Sequence, residues 1–102
     1  MDSLLFLGTS TGVVLVFEIS IIEKEIENSI QRSIDFNFKE FLKQHHYSIT
    51  FINSTTDLVK DSSNQFVKVH RLSICDAVGG ISIWHLDDNR LKFIFLFSGF
   101  NK

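Results

Sequence analysis

At 102 residues the chain makes one domain at most, of a size that buries only a modest core. A net charge of −2, with both signs mixed along the chain, excludes the basic footprint of nucleic-acid binding and the polybasic patch that draws proteins onto anionic lipid. The single cysteine, Cys75, excludes an intrachain disulfide and a cysteine-based zinc cluster, while eleven Phe, many Ile and no Pro favour strands.

Chain order begins with a hairpin. Leu4–Leu7 and Val13–Ile19 are rich in strand formers, and the Thr-Ser-Thr-Gly between them is turn chemistry in which Gly12 is free to adopt positive φ. Along the second strand Val14, Val16 and Glu18 share one side, while Val13, Leu15, Phe17 and Ile19 share the other. Apolar residues on both sides predict a strand covered on both, as between stacked sheets. Next, Ser20 with Glu23 is a capping-box pattern, and Ile22, Ile26 and Ile30 recur every four residues among Glu23, Lys24, Glu25 and Glu27. That spacing predicts a short amphipathic helix within 20–35, packed on its own domain in preference to a partner.

From Phe36 the pattern changes. Phe36 and Phe38 alternate with Asn37 and Lys39, and Phe41-Leu42 leads into a turn at Lys43–Ser48. Ser48–Asn53 predicts a strand, and the polar stretch 54–65 predicts a loop. Phe66–Val69 runs towards a second hairpin, with strands Leu72–Cys75 and Ile81–Leu86 around Ala77–Gly80. Asp87-Asp88-Asn89 forms a turn, and Leu91–Phe97 is a closing strand ended by Ser98-Gly99. The apolar runs are far shorter than the about 20 residues a membrane-spanning helix needs. Asp2 and the polar Thr9–Thr11 argue against a secretory leader, so the expected setting is cytoplasmic.

The two hairpins are one motif written twice. With Gly12 placed on Gly79, Val14 falls on Ile81, Val16 on Ile83, Phe17 on Trp84 and Ile19 on Leu86. Each copy is a strand, a Gly-containing turn and a second strand ending aromatic-polar-aliphatic. A repeated hairpin is the signature of radially repeated sheet architecture.

These residues resemble the WD40-repeat family of β-propellers. The unit of that family runs from a Gly-His pair to a Trp-Asp pair and folds as a four-stranded blade. His45 stands in the His place, with Gln44 for the Gly; Trp84 stands in the Trp place, with His85 for the Asp. Phe17-Glu18 occupies the Trp-Asp place of the first copy. The likeness covers Leu7–Ile19, Phe41–Ile52 and Leu72–Gly99, a little over half the chain, and does not reach 20–35. It implies an all-β, antiparallel partial propeller: 1–19 as the last strands of one blade, 20–35 as an insertion, and 36–102 as an outer strand followed by a nearly complete blade.

In such blades a His, a Ser or Thr, a turn Asp and the Trp tie the strands together by hydrogen bonds. The resemblance assigns His45, Ser73 and Trp84 to three of these roles. Val78 lies where the turn Asp is expected, and Asp76 is two residues early. Buried groups left unpaired in a partial network cost about 1–3 kcal/mol each. The blade is therefore expected to be held mainly by apolar packing, with Gly12, Gly79 and Gly80 as the repeat-turn glycines.

Other chemistry is weaker. Adjacent side chains on a strand face opposite ways, so His45 and His46 cannot share an ion if extended, and His70 and His85 have no spacing that adds to them. Cys75 on a strand reads as a small hydrophobe in preference to a nucleophile. Gly8-x-x-x-Gly12 lacks the Gly-Lys-Ser/Thr of a phosphate loop, and the Asp87–Asn89 cluster lacks the EF-hand spacing. No catalytic residue, metal or cofactor is expected.

A propeller needs about four to eight blades of about 40–45 residues, and this chain supplies fewer than two. The expectation is a piece of a longer propeller, or a chain whose edges and faces are covered by other chains. The expected function is a non-enzymatic scaffold for other proteins, contacting them through Thr9–Thr11, Ala77–Gly80, Asp87–Asn89 and 20–35. The alternative is a small α+β module that dimerises through a sheet edge or an amphipathic helix at about 20–34.

Overall fold

The computed structural model describes residues 3–87 and 90–98. Asp88 and Asn89 of the expected turn, and Gly99 after the closing strand, lie outside these residues. Among the described residues every regular element is a strand: β1 (Ser3–Gly8), β2 (Val14–Ile26), β3 (Ser29–Leu42), β4 (Ile49–Lys60), β5 (Phe66–Asp76), β6 (Gly80–Asp87) and β7 (Arg90–Ser98). They form two antiparallel sheets, a three-stranded one in the order β1-β2-β3 and a four-stranded one in the order β4-β5-β6-β7. Each strand pairs with its chain neighbour, so both sheets are plain meanders.

The two sheets stack through one face each. Val14, Val16 and Leu42 of the first meet Leu72, Ile74 and Trp84 of the second, and Leu4, Phe6, Ile49, Ile52 and Leu91 close around them. Val14, Val16 and Ile74 are fully buried. Gly8 and Gly12 let the sheets approach: a Cβ at Gly8 would sit 2.6 Å from the Ile49 side chain, and one at Gly12 would sit 2.5 Å from the His45 carbonyl oxygen.

No helix forms within 20–35, which corrects that expectation and removes the element that the α+β alternative required. The segment is the outer part of a long hairpin, with Ile21 opposite Ile34, Glu23 opposite Arg32 and Ile26 opposite Ser29. A repeat of four is also a multiple of two. Ile22 and Ile26 therefore share a strand face as readily as a helix stripe, and β-branched Ile tips the balance to the strand. The tip turns through Glu27 (φ 52°) and Asn28 (φ 65°), both in the left-handed region that a tight two-residue hairpin turn needs. Glu23 and Arg32 also meet across the strands at 2.9 Å.

The expected loop at 54–65 is likewise mostly strand. β4 runs on to Lys60 and pairs back through Phe66, leaving a turn whose Asp61 Oδ1 accepts the N–H groups of Ser63 and Gln65. These bonds hold the Asp61 carboxyl below its ordinary range, the Ser63 hydroxyl contributing most. The two arms make the molecule long, 65 × 43 × 16 Å, with a radius of gyration of 17.3 Å. A compact chain of about 100 residues has about 13 Å.

Candidate functional site

Period-two alternation builds a polar chain inside the second sheet. Leu72, Ile74 and Asp76 alternate to the buried side of β5, and Gly80, Ser82 and Trp84 do so on β6. Leu72 lies opposite Trp84, and Ile74 lies opposite Ser82. The connection from β3 to β4 drops His45 between Asp76 and Ser82, and the His45 and Asp76 side chains are 2% and 6% exposed. With so little water at hand, each polar group must find a protein partner.

Each does. Trp84 Nε1–H, a donor only, donates to Ser82 Oγ at 2.9 Å. Ser82 Oγ and His45 Nε2 share a hydrogen bond at 2.7 Å, and His45 Nδ1–H donates to Asp76 Oδ2 at 2.7 Å. Asp76 Oδ1 accepts the N–H groups of Val78 at 3.0 Å and Gly80 at 2.8 Å. The carboxylate end fixes His45 Nδ1 as a donor; a neutral imidazole then accepts from Ser82 at Nε2, and a charged one donates to it. Among the described residues no buried side-chain nitrogen or oxygen lacks a partner.

Burial pushes the Asp76 carboxyl up. The His45 hydrogen bond, the Gly80 and Val78 N–H groups and the His45 charge together outweigh it, and the net direction is down from 3.8. Gly80 earns its place by room, since a Cβ there would lie 2.5 Å from Asp76 Oδ2. Gly12 (φ 91°) and Gly79 (φ 84°) hold matching turn positions in the two hairpins.

Of the four residues expected to tie the strands, His45, Asp76 and Trp84 lie in this chain, while Ser73 does not. Ser73 is paired with Asn53 and Ile83 and faces away from Trp84. The hydroxyl is that of Ser82. Alternation alone identifies it, because Ser82 is two residues before Trp84 and Ser73 is one residue after Leu72. The expectation of a partial network is also corrected: Asp76, two residues early for the turn, still reaches both turn N–H groups, and no member is left unpaired. The remaining histidines lie elsewhere: His46 is exposed, His70 Nδ1 is 2.9 Å from the Thr56 hydroxyl, and His85 is paired on β6 with Arg71 and Lys92. Among the described residues no group of three metal-ligating side chains gathers, and no helix is long and apolar enough to cross a membrane.

Among the described residues each sheet keeps a second face uncovered. On the first, Leu7, Leu15 and Phe41 form one cross-strand row, and Leu5, Phe17 and Phe38 form the next. Phe17 and Phe38 pack edge to face at 5.7 Å, and an apolar depression of about 280 Å³ lies among Leu5, Leu7, Phe17 and Phe36. On the second sheet, Phe51, Cys75, Ile81 and Phe97 form one row, and Asn53, Ser73, Ile83 and Phe95 form the next.

Comparison of the chain with protein-family models, with curated proteins and with solved structures finds no match.

Proposed function

We propose that this chain is a non-enzymatic scaffold for protein–protein contacts, built as a segment of a WD40-like β-propeller. The observation that carries the reading is the joint between the two sheets. They are meanders in the same repeat, stacked face to face, and the second is tied by a Trp84–Ser82–His45–Asp76 hydrogen-bond chain of the kind the family uses. Within that family the likeness is to WD repeat-containing protein 54, over the segments Leu7–Ile19, Phe41–Ile52 and Leu72–Gly99. Fold likeness names no partner. The turns Thr9–Thr11 and Ala77–Gly80 and the two long arms are the surfaces offered to one.

The order Ser82–His45–Asp76 is also that of a nucleophilic triad, so the scaffold reading has to be weighed against a hydrolase. A nucleophile needs an approach for substrate and donors for the developing oxyanion. Ser82 is 0% exposed, and its oxygen already receives the Trp84 N–H. The geometry suits a strut. A fluorophosphonate probe tests this directly: the full chain is expected to stay unlabelled. Labelling that disappears in Ser82→Ala, with the β-sheet spectrum retained, would overturn the non-enzymatic reading.

A further inference from the structure

By register, the two open faces are equivalent to the two sides of a contact that the molecule already makes. Shifting the first hairpin by 67 positions, the offset from Phe17 to Trp84, reproduces the second pair for pair. Leu5 opposite Phe17 becomes Leu72 opposite Trp84, Leu7 opposite Leu15 becomes Ile74 opposite Ser82, and Gly8 opposite Val14 becomes Cys75 opposite Ile81. The third strands follow the same plan. β2 and β3 slip at Val16/Phe17, β6 and β7 slip at Ile83/Trp84, and beyond the slip Phe38 faces Phe17 as Phe93 faces Trp84. Both aromatic pairs are edge to face, at 5.7 and 5.2 Å.

The existing joint sets the Val14/Val16 side of the first sheet against the Leu72/Trp84 side of the second. Under the repeat, the side of the second sheet equivalent to Val14/Val16 is Ile81/Ile83, and it is open. The side of the first sheet equivalent to Leu72/Trp84 is Leu5/Phe17, and it too is open. The strand residues of the rows from Leu5 to Phe41 are uncharged, with the Lys43 ammonium 5.2 Å over the Phe41 ring at the edge of the first face; the Phe51 and Asn53 rows of the second are also uncharged, with Arg71 in the row beyond. Leu7 (45%), Phe41 (49%), Phe51 (59%) and Phe97 (58%) are left in water, although soluble monomers seldom leave apolar patches larger than a few hundred Å².

We infer that the Leu5/Phe17 face of one copy docks on the Ile81/Ile83 face of a second copy, head to tail, by the same sheet-on-sheet contact that joins the two sheets within a copy. The occupant is another copy of this chain because the matching surface is present on this chain, and the internal joint supplies the backbone arrangement, with Ile81 and Ile83 in the places of Val14 and Val16, and Leu5, Leu7, Leu15 and Phe17 in those of Leu72, Ile74, Ser82 and Trp84. Such a contact is heterologous: it closes into a ring if the rotation allows and grows as a filament if it does not. With two sheets in each copy, a ring of about four to eight sheets corresponds to about two to four copies. The inference rests on reading the two sheets as repeated blades.

Native mass spectrometry of the full chain over a concentration series, with far-UV circular dichroism on the same samples, tests it. The wild type is expected to form discrete oligomers. Leu7→Glu blocks one face and Phe97→Glu the other; both positions are exposed in the monomer, so neither change should unfold it. Each variant alone is expected to be monomeric, and an equal mixture should give a heterodimer and nothing larger, because one intact face of each kind remains. A monomeric wild type with an intact β spectrum would overturn the inference and leave the scaffold reading standing. A symmetric dimer lost in only one variant, with no heterodimer on mixing, would overturn it too. A clearly helical spectrum would instead sink the blade reading.

Discussion

The hairpins β1–β2 and β5–β6 share a register yet bury opposite faces. In the first, Val14 and Val16 are fully buried while Leu15 and Phe17 stay half-exposed; in the second, Ser82 and Trp84 are buried while Ile81 and Ile83 stay half-exposed. The backbone plan is common, so the difference comes from position in the stack. Residue type follows from it only in part. Where Leu15, Phe17 and Thr9 stand in the first copy, the second has Ser82, Trp84 and Asp76, the members of a buried polar chain. The Thr9 side chain acts locally, its hydroxyl donating to the Val13 carbonyl at 2.7 Å, while its backbone carbonyl accepts the Ile49 N–H of the second sheet at 2.9 Å. One copy is an apolar plate and the other a plate with a strut through it.

The largest effect that separates them lies at the aromatic pair. Trp84→Ala removes a 5%-exposed side chain from the joint between the sheets and should cost about 3–5 kcal/mol, a large part of the stability of a small domain. Phe17→Ala, the equivalent change on the open face, should cost clearly less in dilute solution. Chemical denaturation followed by circular dichroism compares the two. Equal costs would mean that the Phe17 face is covered after all.

The turn glycines give a smaller contrast. Gly12 and Gly79 both hold positive φ, so alanine pays a strain of about 1–2 kcal/mol at either. At Gly12 the new Cβ would also meet the His45 carbonyl oxygen at 2.5 Å, with Tyr47 N at 2.9 Å. At Gly79, which is exposed, no such obstruction is found among the described residues. Gly12→Ala should therefore lower the melting temperature more than Gly79→Ala. The reverse order would show that His45 is not held against the first turn as described.

How much of this was legible in the sequence depended on what each stretch was asked to reveal. The hairpin strands were, because Val, Ile and Phe flank turn residues with a glycine where φ must be positive. The arm at 20–35 was not: its Ile spacing fits both periods, and the Glu27-Asn28 turn contains no glycine to announce it. The strand character of Ser54–Lys60 was hidden for a related reason. An arm that extends past the core has no buried side, so no apolar alternation marks it. Within the polar chain His45 and Trp84 could be named from the motif; Asp76 stands two residues early for the turn position, and the serine required attention to which face each residue takes. Ser73 was the wrong choice because it adjoins Leu72, and Leu72 already points at the core.

The last contrast is the acid limb that only the second copy possesses. Asp76 is held below the 3.8 of a free aspartate, so between its native value and 3.8 the unfolded chain binds more protons than the folded one. Stability from this group is therefore fully present above about pH 4–5 and is lost as pH falls through the native value. Thr9, at the equivalent place in the first copy, cannot titrate. Asp61 is also depressed, but it lies on an exposed turn outside the repeat and acts equally in any Asp76 variant. The useful quantity is thus the stability gap between wild type and Asp76→Asn, measured by urea denaturation from pH 6 down to pH 2.5. At pH 6 the gap should be about 1–3 kcal/mol, the cost of disturbing a buried hydrogen-bonded carboxylate. Below about pH 4 it should narrow, because acid then neutralises in the wild type the charge that the substitution has removed. A gap that stays constant with pH would mean that the charge of Asp76 contributes nothing, leaving shape and hydrogen bonding to account for the strut.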